Sequence, residues 1–408
     1  MKIAVWHNLG SGGAKRALYD HIRVLKENGH YLEAWTTDIS SEDFLPLSEL
    51  ITENRKDIKS RYDILCKIKN PIKREKRISE LLNNHFLECV REIESKKFDI
   101  IFANSCLVNY MPGIGKFTSL PAILYLGEPY RPLYESMPEN VWQAPYKKFR
   151  LKKIKRIFFD YRLTYSRRIK VMNEVEAAKS YDRILVNSLF SRESVIRAYG
   201  TDATVCYLGI DTEKFKPTGQ EKEPYVIGIG SIGFIKNVRG AVEIIAEIPK
   251  EIRPELIWVG NIADLWYQKE LLVLANKLSV RIKCLVNIPD EELISLVSRA
   301  AIMIYTSRLE PFGLAPLEAN ACGTYVVGVA EGGVRESITN GANGTLVNGF
   351  KKKEIAEIIR PFIEDLEYAK RKGNSSRLFV LDHWNMSLMA DNILSEIKSL
   401  CREMNLTA

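Results

Sequence analysis

Along most of the 408-residue chain, short apolar runs alternate with stretches in which apolar residues return every third or fourth position. The opening shows the pattern. Residues 2–6, Lys-Ile-Ala-Val-Trp, read as a buried strand, and Leu9-Gly-Ser-Gly-Gly13 as a glycine-rich turn. Residues 14–28 place Ala17, Leu18, Ile22 and Leu25 at helical spacing, with Gly29 as a C-terminal stop. Residues 31–36 read as the next strand, which completes a βαβ unit. Further strands are expected at 99–103, 122–126 and 182–187, and a helix at 191–199. The polar, basic stretch 51–82 reads as a helical insertion between strands.

A second series starts with the strand 225–230. A helix follows at about 239–248, then a strand at 255–259, a helix at 266–278, a strand at 280–285 and a helix at 290–298. Strands at 301–305 and 325–329 complete it. The segment 209–224 between the series is polar and charged and carries Pro217 and Pro224, which marks a linker. Repeated strand and helix predict parallel sheets covered on both faces. The expected fold class is therefore α/β, with two successive doubly wound sheets at 1–209 and 210–382 and a tail at 383–408. In the tail, Met389, Ile393, Ile397 and Leu400 form one helical stripe. Ligands of such sheets bind at the carboxyl ends of the strands, and with two sheets the cleft between them is the default site.

Composition narrows the class. Hydrophobic residues make up 46% of the chain, yet no apolar run approaches the roughly 20 residues that span a bilayer. The start, Met1-Lys-Ile-Ala-Val-Trp-His7, lacks the features of a signal peptide. The seven cysteines are scattered without CxxC spacing, which argues against a disulfide framework or a zinc site and for a cytoplasmic setting. Net charge is +8, and between Lys147 and Lys170 eleven Lys or Arg stand against one acid, Asp160. In that stretch Leu151, Ile154, Phe158, Tyr161 and Tyr165 follow 3,4,3,4 spacing. One reading is an interfacial helix holding the protein on an anionic membrane face. The other packs the apolar stripe on the first sheet and leaves the lysines solvated.

The segment that carries chemistry is Ser307-Arg-Leu-Glu-Pro-Phe-Gly-Leu-Ala-Pro-Leu-Glu-Ala-Asn-Ala-Cys-Gly-Thr-Tyr-Val-Val. It follows a buried strand. Phe312 and Gly313 make a turn, and Pro316 suits the first turn of a helix. Free amides of Gly313, Leu314 and Ala315 at a positive helix end suit a pyrophosphate. Glu310 before the helix and Glu318 within it are carboxylates able to grip paired sugar hydroxyls. The plainer reading of Glu318 alone is a first-turn acid answering the helix dipole.

This string resembles the Glu-x7-Glu signature of the family four glycosyltransferases of GT-B fold. Gly332-Gly-Val-Arg-Glu336, Asn340-Gly-Ala-Asn-Gly-Thr-Leu-Val347, Leu208-Gly-Ile-Asp-Thr-Glu-Lys-Phe-Lys-Pro217, Arg183-Ile-Leu-Val-Asn-Ser188 and the pair Gly12-Gly13 resemble the family in order and spacing. The resemblance implies two Rossmann-like sheets facing a cleft, an acceptor-side domain followed by a donor-binding one, and a final helix that crosses back. It implies that Glu318 holds the donor ribose, that Glu310 holds the transferred hexose, and that the amides near Gly313 and Leu314 meet the distal phosphate. Gly12 and Gly13 would admit that phosphate or the acceptor; taken alone they make an ordinary tight turn. Lys236 matches the family's diphosphate lysine, but Ser231 stands where an arginine is usual, with Arg239 or Arg308 as possible substitutes. Gly127 stands near a usual histidine position, followed by Glu128. The implied reaction uses no metal and no cofactor beyond the co-substrate. A UDP- or GDP-sugar would give its sugar, with retained configuration, to a glycan, lipid-linked or small-molecule hydroxyl.

Other classes fit less. For a dinucleotide-binding fingerprint, Gly10-Ser11-Gly12 lacks its third glycine, since Lys15 stands there, and Gly228-Ile-Gly230-Ser-Ile-Gly233 lies partly inside a strand. A nucleic-acid binder would use the basic segment 147–170 and its aromatics, but no such motif occurs elsewhere. A non-catalytic sugar-nucleotide sensor is the remaining alternative, raised by Ser231.

Overall fold

The computed structural model describes residues 1–131, 134 and 154–404. Contacts divide the chain into two compact units, Met1–Cys206 with Asn392–Ala408, and Tyr207–Asp391. The tail is thus shared: residues up to Asp391 group with the second unit and those from Asn392 with the first.

The first unit runs β1 (Lys2–Asn8), α1 (Gly13–Glu27), β2 (Tyr31–Thr37), β3 (Thr52–Lys56), α2 (Lys59–Cys66), α3 (Pro71–Ser95), β4 (Ile100–Cys106), β5 (Ala122–Tyr125), α4 (Ile154–Ala178), β6 (Arg183–Val186), α5 (Leu189–Tyr199) and β7 (Thr204–Val205). These strands pair in parallel in the order β3-β2-β1-β4-β5-β6-β7. Order reverses between β1 and β4, the position at which doubly wound sheets open a crevice. β1, β4 and β5 are buried almost throughout because helices cover both faces. The core gathers Trp6, Trp35, Phe86, Phe98 and Leu124. Asn70 caps α3 by accepting from the amides of Ile72 and Lys73, and Pro71 fills the first turn.

The stretch 51–82, expected as a helical insertion, is helical in α2 and α3 but is corrected at its start, where strand β3 occupies Thr52–Lys56. The strand reads Thr-Glu-Asn-Arg-Lys, one exposed residue and four half-buried ones. An edge strand half-open to solvent lacks the apolar signal of its neighbours.

The second unit runs β8 (Glu223–Ile229), α6 (Val238–Ile245), β9 (Glu255–Gly260), α7 (Leu265–Lys277), β10 (Ile282–Val286), α8 (Asp290–Arg299), β11 (Ala300–Tyr305), α9 (Leu314–Ala321), β12 (Val326–Val329), α10 (Val334–Ser337), β13 (Gly344–Val347), α11 (Lys352–Glu364) and α12 (Leu366–His383), and α13 (Met386–Glu403) starts in it and continues, from Asn392, in the first unit. Its parallel order is β10-β9-β8-β11-β12-β13, with the reversal between β8 and β11. The tail stripe Met389, Ile393, Ile397 and Leu400 is buried on α13. From that helix Glu396 and Glu403 hold Arg183 at 2.9 and 2.5 Å.

Candidate functional site

Two loops leave the carboxyl ends of β8 and β11, side by side at the reversal of the second sheet. The first carries Ser231 and Lys236, and the second carries Arg308, Glu310, Phe312 and Gly313. They are laced together by hydrogen bonds to main-chain carbonyls. The Thr306 hydroxyl donates to the carbonyls of Lys236 and Asn237, each at 3.1 Å, and the Arg308 amide donates to Ile235 O at 3.2 Å. Lys236 Nζ then donates to Glu310 Oε2 at 2.6 Å. The structure therefore brings together two residues that lie 74 positions apart in the chain.

Glycines fix the Glu310 loop from behind. The Gly333 amide donates to Glu310 O at 2.7 Å, and Glu310 and Gly332 form an isolated parallel bridge. A Cβ on Gly333 would overlap the Pro311 carbonyl oxygen, and one on Gly332 would strike the Glu310 backbone. The Gly332-Gly333 pair thus lets two backbones touch. Gly313 caps α9 with φ +101, left-handed backbone that favours glycine, and itself has no side chain to cap the helix end. Leu314 and Ala315 follow at the partly exposed first turn. This leaves main-chain donors and the positive end of the helix dipole beside the loop that carries Glu310.

Phe312 is placed differently from a ligand contact. Its side chain is buried, and its ring packs on Tyr207 at 6.2 Å and Trp384 at 5.4 Å between centroids. It serves the site by anchoring the backbone before Gly313. Tyr207 also donates to Glu336 Oε2 at 3.0 Å, and burial, with that acid's help, pushes its hydroxyl up to about 12. Glu318 lies in α9 and is buried. Beside it, Asn320 donates to Asn343 O at 2.8 Å while Asn343 donates back to Asn320 Oδ1 at 3.0 Å, which ties α9 to the Asn340–Gly344 turn.

Ser231 is exposed. The two arginines considered as substitutes are held by acids: Arg239 Nε by Glu243 at 3.0 Å and Arg308 Nε by Glu331. Arg308 sits in the loop of Glu310, whereas Arg239 lies in the first turn of α6.

In the first unit, Gly12 is the N-cap of α1 with φ +142, and Gly13 opens the helix. Beneath them lies a polar cluster that the sequence reading did not single out. The His7 Nε2–H donates to Glu53 Oε1 at 2.9 Å, with both side chains buried. Burial lowers His7 to about 4, so the imidazole is neutral near pH 7. Lys15 is fully buried as well, and burial lowers its ammonium, countered by Glu53. The available signal was register. Lys15 falls on the same α1 stripe as Leu18, Ile22 and Leu25, where an apolar residue belongs. Glu128, left without a role by the sequence, lies 3.7 Å from Arg131. Among the described residues, no three His, Cys, Asp or Glu side chains gather as a metal would require.

Residues 209–379 match the model of the glycosyl transferases group 1 family. D-inositol 3-phosphate glycosyltransferase of Xylanimonas cellulosilytica is 26% identical over 218 residues, which cover 48% of this chain and 52% of that protein. The chain spans about half the length of the curated relatives it matches. Among solved structures, Anabaena HepE in complex with UDP aligns over 98% of this chain and 100% of its own, at TM-score 0.72 and 20% identity. The same protein in complex with UDP-glucose aligns at TM-score 0.70. The fold is that of GT-B glycosyltransferases, and the group 1 region falls on the second unit, where the Lys236–Glu310 pair lies.

Proposed function

We propose that the protein is a glycosyltransferase that takes a hexose from a nucleoside-diphosphate sugar, with the donor held by the second unit. The observation that carries this reading is the Lys236–Glu310 pair at the switch point of the second sheet, set just ahead of the glycine-capped N-terminus of α9. The complexes of HepE favour UDP-glucose as the first donor to try. The name of the curated relatives makes a phosphorylated cyclic polyol the first acceptor, ahead of glycan and lipid-linked alcohols.

In this reading the diphosphate enters between Lys236 and the α9 amides, and Lys236 exchanges its bond to Glu310 for one to phosphate oxygen. Glu310 is then free to accept from sugar hydroxyls, and Glu318 accepts from the ribose. The bond from the anomeric carbon to diphosphate oxygen breaks as the acceptor oxygen bonds to the same face of that carbon. The acceptor proton passes to the departing diphosphate, and configuration is retained. The protein contributes position and neutralisation of charge on the leaving group. With Ser231 in place of an arginine, Lys236 and the helix end carry that neutralisation, joined by Arg308 if it leaves Glu331. No metal takes part, so turnover should survive a chelator.

The test measures sugar transfer from UDP-glucose and, separately, UDP binding by calorimetry. Glu310→Gln should keep UDP affinity and lose turnover, and Lys236→Ala should lose both. Wild-type transfer by a folded Glu310→Gln variant overturns the assignment. Binding of UDP-glucose without its consumption by any acceptor or by water would favour a sensor.

A further inference from the structure

Helix α4 reverses the usual order of an amphipathic helix. Its inward face is held by polar groups. Ser166 Oγ donates to Pro71 O at 3.0 Å, Lys170 Nζ to Val108 O at 2.8 Å, and Asn173 Nδ2 to Ser79 Oγ at 3.0 Å. Glu174 accepts from Tyr199 OH at 2.7 Å. The outward face carries the large apolar side chains: Phe158 is 63% exposed, Tyr161 68%, Tyr165 46% and Met172 64%. The expectation that this stripe packs on the first sheet is therefore corrected for Phe158, Tyr161 and Tyr165. Lys147, Lys148, Phe149, Leu151, Lys152, Lys153 and the Ile154 side chain lie outside the described residues.

Phe158, Tyr161, Tyr165 and Met172 stand at i, i+3, i+7 and i+14, so at 3.6 residues per turn they form one stripe. The same geometry sets Arg162 along one edge of the stripe and Arg168 along the other, and both are exposed. From Phe158 to Met172 the only acid is Asp160, which the helical turn places off this face. A contiguous exposed apolar stripe on a protein surface marks an interaction site.

We propose that this face of α4 docks on the surface of an anionic lipid bilayer. The chemistry selects that occupant. Tyrosine and phenylalanine rings suit the boundary between headgroups and acyl chains. Arginines bordering such a stripe rest their stems on it and reach lipid phosphate with their guanidinium groups. A second copy of the same face would set arginine against arginine. The sequence immediately before the helix extends the positive charge, as the count from Lys147 to Lys170 shows. The inference is independent of the donor site, since none of its residues takes part there.

The test is co-sedimentation of the full chain with vesicles of phosphatidylcholine, with and without phosphatidylglycerol, at low and high ionic strength. The wild type should partition onto the anionic vesicles at low ionic strength and leave them when salt is added. Phe158→Ser/Tyr161→Ser/Tyr165→Ser should weaken partition by about tenfold or more. Arg162→Glu/Arg168→Glu should weaken it by a similar factor, since each basic residue near such a surface contributes about fivefold. The arginine variant removes only exposed charge, so it keeps the test decisive if the aromatic variant fails to fold. Protein that stays in the supernatant with anionic vesicles overturns the proposal. So does partition unchanged by both variants, or equal binding to vesicles lacking phosphatidylglycerol. Variant-sensitive binding to single-stranded RNA that outcompetes vesicles, or a solution dimer dissolved by the same variants, reassigns the face and overturns it too.

Discussion

Both doubly wound units pair ionisable side chains, Lys236 with Glu310 in the second and His7 with Glu53 in the first, and treat them in opposite ways. In the second unit Lys236 and Glu310 meet at 2.6 Å with both side chains still reached by solvent. In the first, His7, Glu53 and Lys15 are sealed from it, and Arg55 stands 3.6 Å from Glu53. A pair at the water boundary can trade one partner for an incoming phosphate or hydroxyl. A sealed cluster cannot, because removing a member leaves bare charge in a poorly solvating interior. The lowered pKa of His7 accordingly marks how the first unit is built, whereas the Lys236–Glu310 pair is marked by its geometry.

The contrast is broken most directly by truncating each side. Glu53→Ala should lower stability by about 3–5 kcal/mol, by taking from the buried Lys15 and His7 the carboxylate that answers them. Thermal melts should show this, while calorimetry shows UDP affinity unchanged. Lys236→Ala should do the reverse, with a melting temperature near wild type and a turnover loss of about 10²–10³. If Glu53→Ala weakens UDP binding while remaining folded, the two clusters do not divide the work as described.

Glu318→Ala sharpens the second half of the contrast. It should weaken UDP binding by about 1.5–3 kcal/mol, the cost of losing a charged acceptor, with stability little changed. Calorimetry at constant pH reads the difference.

A fourth prediction uses Glu174 in the first unit. Burial raises its carboxyl from 4.5 to about 7, opposed by Lys170 and the Tyr199 hydroxyl, and Oε1 is buried with no hydrogen-bond partner among the described residues. Between those values the folded state holds a proton that the unfolded state has released. Stability should therefore fall as pH rises from about 4.5 to about 7, by on the order of 2 kcal/mol. Glu174→Gln should flatten that decline in melts recorded at pH 5 and pH 8. An unchanged slope would show that Glu174 is already ionised in the folded protein. The smallest effect belongs to Ser231→Arg, which adds a cation beside the loop of Lys236. Turnover should stay within about threefold of wild type or rise, as a partly exposed charge contributes little.

Legibility in the sequence followed burial and chain separation. Buried strands such as β1 and β11 announce themselves because continuous apolar runs have few other uses. The polar edge strand β3 did not, and with it Glu53 stayed invisible as the partner of His7. The Glu310 loop was readable because its turn, helix start and carboxylates lie within a dozen residues. The aromatic cluster of Tyr207, Phe312 and Trp384 was not, since it joins positions from three distant segments. For α4, spacing revealed a stripe but could not say which way it faced. That was decided by polar partners on α3, α5 and the loop after β4.

The division of the chain also orders its synthesis. Tyr207–Asp391 is one unbroken segment, whereas the unit begun first is completed only by residues from Asn392 onward. The later unit can close its core as it leaves the ribosome. The earlier one must wait, with Arg183 lacking Glu396 and Glu403, until α13 is released. A nascent chain stalled before Asn392 would carry a complete second unit and a first unit still lacking its last segment. That is the species a cell's chaperones would meet first, and the one most open to premature proteolysis.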